Sequence, residues 1–238
     1  MNVLLISFEG PDNVGKTTQI QLLKQWLEGQ SIGVAVSKWN SGKYLERIFA
    51  NINRTEYASS PCISSTIIAT DFSNRLEREI EPQLKLGAIV LSDRYVLTPL
   101  TRDVVRGTPM DFLSSLYDYA PRPDVSIVLI DDPDILTART IQNGCNFWET
   151  GLEGFLDIPI KDAYDRFHSG LIPPDVVEKS IRWFIRTVTD NLLTLASRDP
   201  SWHAVVIDCH GLDLQSVHQR INRLVEECMN SNWTNKGV

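Results

Sequence analysis

The chain has 238 residues, is 42% hydrophobic and carries a net charge of −7. This length and composition predict one folded domain with a large core rather than a disordered chain. The acidic balance argues against a broad nucleic-acid or anionic-membrane surface, so a bound anion requires a local basic pocket. No apolar run is long enough to cross a bilayer and the first residues show no leader pattern, which together predict a cytoplasmic protein.

The first predicted strand leads directly into a glycine-rich motif. Residues 3–8 form an apolar run, and G-x-x-x-x-G-K-[ST] follows with Gly10, Gly15, Lys16 and Thr17, just before a helical pattern. In this context the two glycines let backbone N–H groups and the helix N-terminus surround a phosphate chain. Lys16 would reach the β/γ-phosphates, and the Thr17 hydroxyl would bind Mg²⁺. The predicted cradle consists of Gly10, Pro11, Asp12, Asn13, Val14, Gly15, Lys16, Thr17 and Thr18.

A second strand over residues 34–37 places Lys38 at its end, where open α/β sheets bind ligands. Residues 40–60 show no clear period, apart from a short helical pattern from Tyr44 to Phe49. Apolar residues then recur at every fourth position, which predicts one helix from about Ser64 to Leu86. Gly87 is its expected stop, and Pro82 is expected to kink it or end it early.

A third apolar strand, residues 88–92, is followed at once by Asp93 and Arg94. An acid at this place helps to hold Mg²⁺ in phosphoryl-transfer sites, and an adjacent arginine can bind a phosphate through two hydrogen bonds. The alternative is an ordinary surface salt bridge.

The region 98–106 is predicted as a loop because it contains Pro99 and is followed by Gly107. It carries two further cations, Arg102 and Arg106.

The remaining elements complete an alternating pattern. In chain order they are a helix over 111–120, a strand over 125–130, a helix over 133–139, a helix from 174 to about 195, a strand over 204–207 and a helix over 214–228. The Asn- and Gly-rich residues 143–151 predict a lid, within a segment of about 140–158, or else a plain surface excursion. Residues 230–238 are expected to be a frayed tail.

The fold class predicted is therefore α/β, a P-loop NTPase fold with a five-stranded parallel sheet and helices on both faces, in one domain over 1–238. The ligand site should lie outside the carboxyl ends of the strands.

Several motifs in this order resemble the thymidylate kinase family of nucleoside monophosphate kinases. They are the segment from Phe8 to Gln19, the Asn74-Arg75 pair, the segment Leu91-Ser92-Asp93-Arg94-Tyr95-Val96, the turn Arg122-Pro123-Asp124 and the pair Ile207-Asp208.

The resemblance implies transfer of the ATP γ-phosphoryl to dTMP or a related nucleoside monophosphate with Mg²⁺, in a homodimer formed through the helix around Asn74. It implies that Lys16 and Thr17 serve the donor and the metal, with Asp93 near the metal. The implied acceptor residues are Asp12 near the sugar and phosphate, Arg94 and Lys38 at the phosphate, and Arg75 near the base.

The base pocket departs from the family pattern. Asp71 stands where an aromatic residue usually stacks on the base, with Phe72 one step later, while Arg102 and Asp103 replace a Tyr-Gln pair. All four are candidate substrate-binding residues. Two acids would suit exocyclic amino donors, so a different nucleotide or another phosphorylated metabolite is an alternative acceptor.

The lid also departs from the pattern. The family supplies a transition-state arginine either at the position of Asn13 or from the lid, where Asn146-Phe147 stands here. Arg139 is the candidate nearest in sequence, and Arg166 lies further on. A catalytically impaired protein that binds nucleotides for regulation is therefore the second alternative.

Overall fold

The computed structural model describes residues 3–39 and 60–235. All strand pairs are parallel, and the sheet order is β2-β3-β1-β4-β5. The strands are β1 (Leu5–Glu9), β2 (Val34–Lys38), β3 (Ile89–Asp93), β4 (Val125–Ile130) and β5 (Ala204–Asp208). The predicted five-stranded parallel sheet is confirmed, and each strand lies close to its predicted bounds.

Helices connect the strands. In chain order they are α1 (Lys16–Gly29), α2 (Pro61–Arg75), α3 (Glu81–Lys85), α4 (Leu97–Val105), α5 (Met110–Tyr117), α6 (Pro133–Gln142), α7 (Leu152–Leu156), α8 (Ile160–His168), α9 (Pro174–Arg198) and α10 (Leu214–Asn235). A π-helical turn, Leu76–Ile80, joins α2 to α3, and two short 3-10 helices lie at Phe147–Glu149 and Pro200–Trp202.

Each face of the sheet has its own apolar core, because successive strand residues point to opposite faces. Ile6 and Leu91 pack on one face with residues of α1 and α10. Leu5 and Val90 pack on the other face with residues of α2, α4 and α5. The central strand β1 is thereby covered on both sides, as its continuous apolar run predicts.

The long helix predicted to end at Gly87 is interrupted just before Pro82. The Glu81 N–H donates to the carbonyl of Leu76, five residues back, so the chain makes a wider π turn there. Pro82 then lies in the first turn of α3, where its missing N–H costs no helical hydrogen bond. The expected kink therefore takes the form of a π turn.

The loop predicted over 98–106 is wrong, because α4 occupies this stretch. Pro99 lies in the first turn of the helix, where no intrahelical N–H bond is needed. Leu97 and Leu100 are buried against the sheet and anchor the helix. This correction matters for the site, since a helix fixes the directions of Arg102 and Arg106.

Two helices were not predicted from the sequence: α7, which lies inside the predicted lid segment of about 140–158, and α8, which follows that segment. Residues 230–235 continue α10, so they are not a frayed tail. Residues 236–238 lie outside the described residues. The helical pattern from Tyr44 to Phe49 lies outside them as well. Within the described residues, no helix combines the length and apolar character of a bilayer span.

Candidate active site

A cleft of about 800 Å³ opens at the carboxyl ends of the strands, beside the glycine-rich loop. Gly15, Lys16, Thr17 and Thr18 line one side of it. Gly15 precedes the first residue of α1 and has a φ of 104°. It makes no side-chain hydrogen bond to the first N–H groups of the helix. A helix N-terminus of this kind attracts phosphate.

Lys16 is buried beneath this loop, at 6% exposure. Its Nζ donates to the carbonyl oxygens of Gly10 at 3.1 Å and of Pro11 at 2.6 Å. Burial, followed by the nearby charge of Arg94, lowers the pKa of Lys16 to about 7. The ammonium group is therefore poorly compensated by the protein alone, and an anionic ligand would stabilise it.

Thr17 meets Asp93 at the mouth of the cradle, where Thr17 Oγ1 donates to Asp93 Oδ2 at 2.8 Å. Strand pairing explains the contact, because β1 and β3 are neighbours and Phe8 is in register with Asp93. Next to it Arg94 has a φ of 69° and donates its own N–H to the Phe8 carbonyl at 3.0 Å. A left-handed arginine is strained, and such strain is concentrated at functional sites.

Asp12 binds two guanidinium groups in the cleft. Arg94 Nη2 donates to one of its carboxylate oxygens and Arg102 Nη1 to the other. Arg94 Nη1 also donates to the Gly10 carbonyl at 2.9 Å. Burial alone would raise the pKa of the Asp12 carboxyl, but Arg102 and Arg94 outweigh burial and hold that pKa far below its usual range.

Glu9 positions this cluster, a role that was not predicted for it from the sequence. The residue is fully buried, and its carboxylate accepts from the Tyr95 N–H at 2.9 Å and from Thr98 Oγ1 at 2.6 Å. It thus ties the end of β1 to the start of α4. An acid immediately before the glycine-rich motif, at the end of an otherwise apolar strand, is the signal that could have identified it.

The predicted lid is structured and contacts α4. Arg102 Nη2 and Arg106 Nη2 both donate to the Trp148 carbonyl, at 3.1 and 2.6 Å. Arg106 also pairs with the buried Glu153 of α7. Phe147 lies in a small apolar core between this segment and α8 rather than in the cleft.

A polar group lines the opposite side of the cleft. Asp103 Oδ2 accepts from Ser65 Oγ at 2.9 Å, and the Ser65 and Thr108 hydroxyls lie 3.0 Å apart. Burial raises the pKa of the Asp103 carboxyl, against the opposing effect of the Ser65 hydrogen bond. Lys38 and Trp39 line the same cleft from the end of β2.

Three predicted substrate residues do not line the cleft. Asp71, Phe72 and Arg75 are all buried, and Arg75 is at 0% exposure. The Arg75 guanidinium donates to the hydroxyls of Ser37 at 3.2 Å and Ser92 at 3.4 Å. It also lies over the rings of Trp39 and Phe72, at 5.4 and 5.9 Å from their centroids. In this structure Arg75 supports the wall behind the cleft.

Arg139 also lies apart from the cleft lining. It pairs with Asp131 at 3.0 Å and contacts the Asn13 carbonyl at 3.5 Å, and its side chain is 46% exposed. The Asn13 side chain donates to Thr140 Oγ1 at 2.9 Å, so it links the glycine-rich loop to α6. Arg102, which was predicted as a substrate-binding residue, does line the cleft, on the helix α4 that was predicted as a loop.

The sequence matches the thymidylate kinase family over residues 8–150. A probable thymidylate kinase 2 of Saccharolobus solfataricus is 35% identical over 174 residues, which is 72% of this chain and 81% of that protein. A thymidylate kinase of Symbiobacterium thermophilum is 27% identical across 99% of this chain and 98% of its own length.

Solved structures agree at the level of the fold. The thymidylate kinase of Candida albicans superposes with a TM-score of 0.67 at 16% identity, covering 95% of this chain and 92% of its own. That of Ehrlichia chaffeensis gives a TM-score of 0.63 at 17% identity, covering 95% of this chain and all of its own. The predicted P-loop fold is thereby confirmed. From the family match together with the relative at 35% identity, we conclude that this chain belongs to the thymidylate kinase family.

Proposed function

We propose that this protein transfers the γ-phosphoryl group of ATP to dTMP, giving ADP and dTDP. The observation that carries the proposal is the cradle at the N-terminus of α1, with the buried Lys16 below it and the Thr17–Asp93 pair at its mouth. The same cleft continues to Arg94 and Arg102, so donor and acceptor phosphates would meet inside one cavity.

The donor would lie along the glycine-rich loop. Backbone N–H groups of residues 15–18 would bind the phosphates, and the Lys16 ammonium would move from the loop carbonyls to the β/γ-phosphates. Gly10 and Val14 would shape the loop from below, since neither lines the cleft. These residues make no covalent bond, because such transfer depends on positioning and charge neutralisation.

A magnesium ion fits the donors at the mouth of the cradle. The Thr17 hydroxyl and the Asp93 carboxylate are hard oxygen donors 2.8 Å apart, the ligand class that Mg²⁺ prefers. Within the described residues no cluster of three or more His, Cys, Asp or Glu side chains could hold a metal by itself. This suits Mg²⁺, which commonly uses one or two protein ligands together with phosphates and water. When bound, it would supply charge neutralisation at the β- and γ-oxygens.

The acceptor would occupy the side of the cleft lined by Lys38, Arg94 and Asp103. Arg94 and Lys38 would take its phosphate, with Asp12 near its sugar. Asp71 does not line the cleft, so the pair of acids expected to favour exocyclic amino donors is not formed there. Asp103, whose carboxylate accepts a hydrogen bond from the Ser65 hydroxyl, would lie beside the acceptor as a single acid.

Family membership favours phosphoryl transfer over both alternatives, nucleotide binding for regulation alone and a non-nucleotide acceptor. It also supports a cytoplasmic location, where ATP and dTMP are present.

Family membership further supports a homodimer formed through the helix that carries Asn74. Light scattering after gel filtration tests the dimer directly, since a monomeric mass would contradict it.

The test of the function is an ADP-release assay with ATP, Mg²⁺ and each of dTMP, dUMP, dCMP, dAMP and dGMP. We expect release to depend on dTMP and to be fastest with it. Lys16→Met should abolish turnover, whereas Lys24→Met, a change on the outer part of α1, should leave it intact. Equal ADP release with and without every acceptor, or a clear preference for a purine or for dCMP, would contradict the proposal.

A further inference from the structure

We infer that Arg102 is the catalytic cation that stabilises the phosphoryl group during transfer. The inference rests on the proposed function. It differs from the expectation of an arginine in the glycine-rich loop or the lid, because Arg102 belongs to α4, between those two segments.

Arg102 is held by both of the segments that enclose the reacting groups. One guanidinium nitrogen donates to Asp12 in the glycine-rich loop, and the other donates to the Trp148 carbonyl in the lid segment at 3.1 Å. The guanidinium carbon lies 5.1 Å from the centroid of the Phe184 ring. The side chain is 15% exposed and lines the cleft. A charged group with so many fixed contacts is already oriented before substrate binds, which is what transition-state stabilisation requires.

Local charge also favours an anion at this position. Two guanidinium groups, from Arg94 and Arg102, share the single carboxylate of Asp12, so this contact does not give each arginine a carboxylate of its own. Glu149, which lines the same cleft, accepts a hydrogen bond from the Asn146 N–H at 2.9 Å. Burial raises the pKa of the Glu149 carboxyl.

Three other cations of the cleft, Arg94, Arg106 and Lys16, each make a contact that Arg102 does not make. Arg94 contacts the Gly10 carbonyl and lies beside the acceptor side of the cleft. Arg106 donates from one nitrogen to Glu153 and from the other to the Trp148 carbonyl, so it holds the lid segment against α4. Lys16 belongs to the donor phosphates. Arg102 lies next to Asp12, between the glycine-rich loop and the lid segment.

In the step itself, a phosphate oxygen of the acceptor forms a bond to the γ-phosphorus of ATP. The bond from that phosphorus to the β,γ-bridging oxygen breaks, and its electron pair stays on the β-phosphate of ADP. Arg102 forms no covalent bond and moves no proton. It offsets the negative charge on the three equatorial oxygens, and an arginine in that role is worth on the order of 10³-fold or more in rate.

The experiment compares Arg102→Gln, Arg102→Lys and a control, Arg186→Gln, which changes an exposed arginine on α9. We expect Arg102→Gln to lower kcat on the order of 10³-fold while KM for dTMP changes far less. Arg102→Lys should recover part of the loss because it keeps the charge. Thermal unfolding of all three variants checks that they are folded.

A second measurement does not depend on turnover. The affinity for ADP with aluminium fluoride and dTMP, which mimics the transferring group, should fall in Arg102→Gln by a factor similar to kcat, whereas affinity for ADP alone should not. If Arg102→Gln matches Arg186→Gln, or if Gln and Lys behave identically, the assignment is wrong although the proposed function stands. Wild-type protein without dTMP-dependent turnover would overturn the proposed function and this assignment with it.

Discussion

The Thr17 hydroxyl donates a 2.8 Å hydrogen bond to the carboxylate of Asp93, joining the first turn of α1 to the end of β3. The two residues are far apart in the chain and meet because β1 and β3 are neighbours in the sheet. Both oxygens face the mouth of the phosphate cradle, so the pair is the candidate metal site.

Removing one oxygen donor at this pair should raise the Mg²⁺ concentration needed for activity. We expect Thr17→Val to lower turnover at limiting Mg²⁺ by about 10-fold or more, since the loss of even an outer-shell partner of a metal ligand commonly costs about 10–100-fold. Thr17→Ser keeps the hydroxyl and should behave nearly as wild type. The measurement is turnover against Mg²⁺ concentration, and identical curves for Val and Ser would exclude Thr17 as a metal ligand.

ATP binding should take up a proton at alkaline pH. Burial lowers the pKa of Lys16 to about 7 in the free protein, so the side chain is largely neutral at pH 8. A polyphosphate beside it stabilises the ammonium form, which raises the pKa and draws a proton from solvent. Affinity for ATP should therefore weaken as pH rises above 7. The affinity falls with rising pH because the charged form of Lys16 is the one that binds the polyphosphate.

Calorimetry of ATP binding in buffers of different ionisation enthalpy measures this uptake. At pH 8 we expect a net proton uptake in wild type and a much smaller one in Lys16→Met. An uptake of the same size in wild type and in Lys16→Met would show that another group is responsible.

The two motif glycines should differ in their sensitivity to alanine. A Cβ on Gly10 would lie 2.1 Å from the Leu129 carbonyl oxygen, and φ there is 134°. A Cβ on Gly15 would meet no heavy atom within 4 Å, although φ is 104°. Backbone strain costs about 1–3 kcal/mol at each position, and Gly10→Ala adds a clash worth about 1–3 kcal/mol more.

Urea unfolding should therefore rank Gly10→Ala as less stable than Gly15→Ala. Gly15→Ala should instead weaken ATP binding, because its methyl group would lie at the cradle. Equal free energies of unfolding for the two variants would contradict this division between structural and ligand-facing glycines.

Arg75 should contribute mainly to stability. Arg75→Met would remove the donors that contact Ser37 and Ser92, and each buried polar group left unsatisfied costs about 1–3 kcal/mol. Arg78→Met, three residues on and exposed, should stay within about 0.5 kcal/mol of wild type. If Arg75→Met is as stable as Arg78→Met but raises KM for dTMP strongly, Arg75 contacts the base directly, as the family resemblance implies.

The sequence predicted the sheet well because its strands are short apolar runs, such as 125–130, bounded by turn residues. It failed at α4, because a proline in the first helical turn is compatible with a helix but resembles a loop in sequence. It could not predict that Arg102 meets Asp12, or that Arg75 lies behind Trp39, because such contacts depend on packing between distant segments.

The most direct test of the central claim follows the transferred group itself. Wild-type protein is incubated with ATP labelled at the γ-phosphate, Mg²⁺ and dTMP, and the labelled products are separated. We predict that the label appears in dTDP with wild type and not with Lys16→Met. Label released only as inorganic phosphate, or label in dTDP at the wild-type rate with Lys16→Met, would contradict the account.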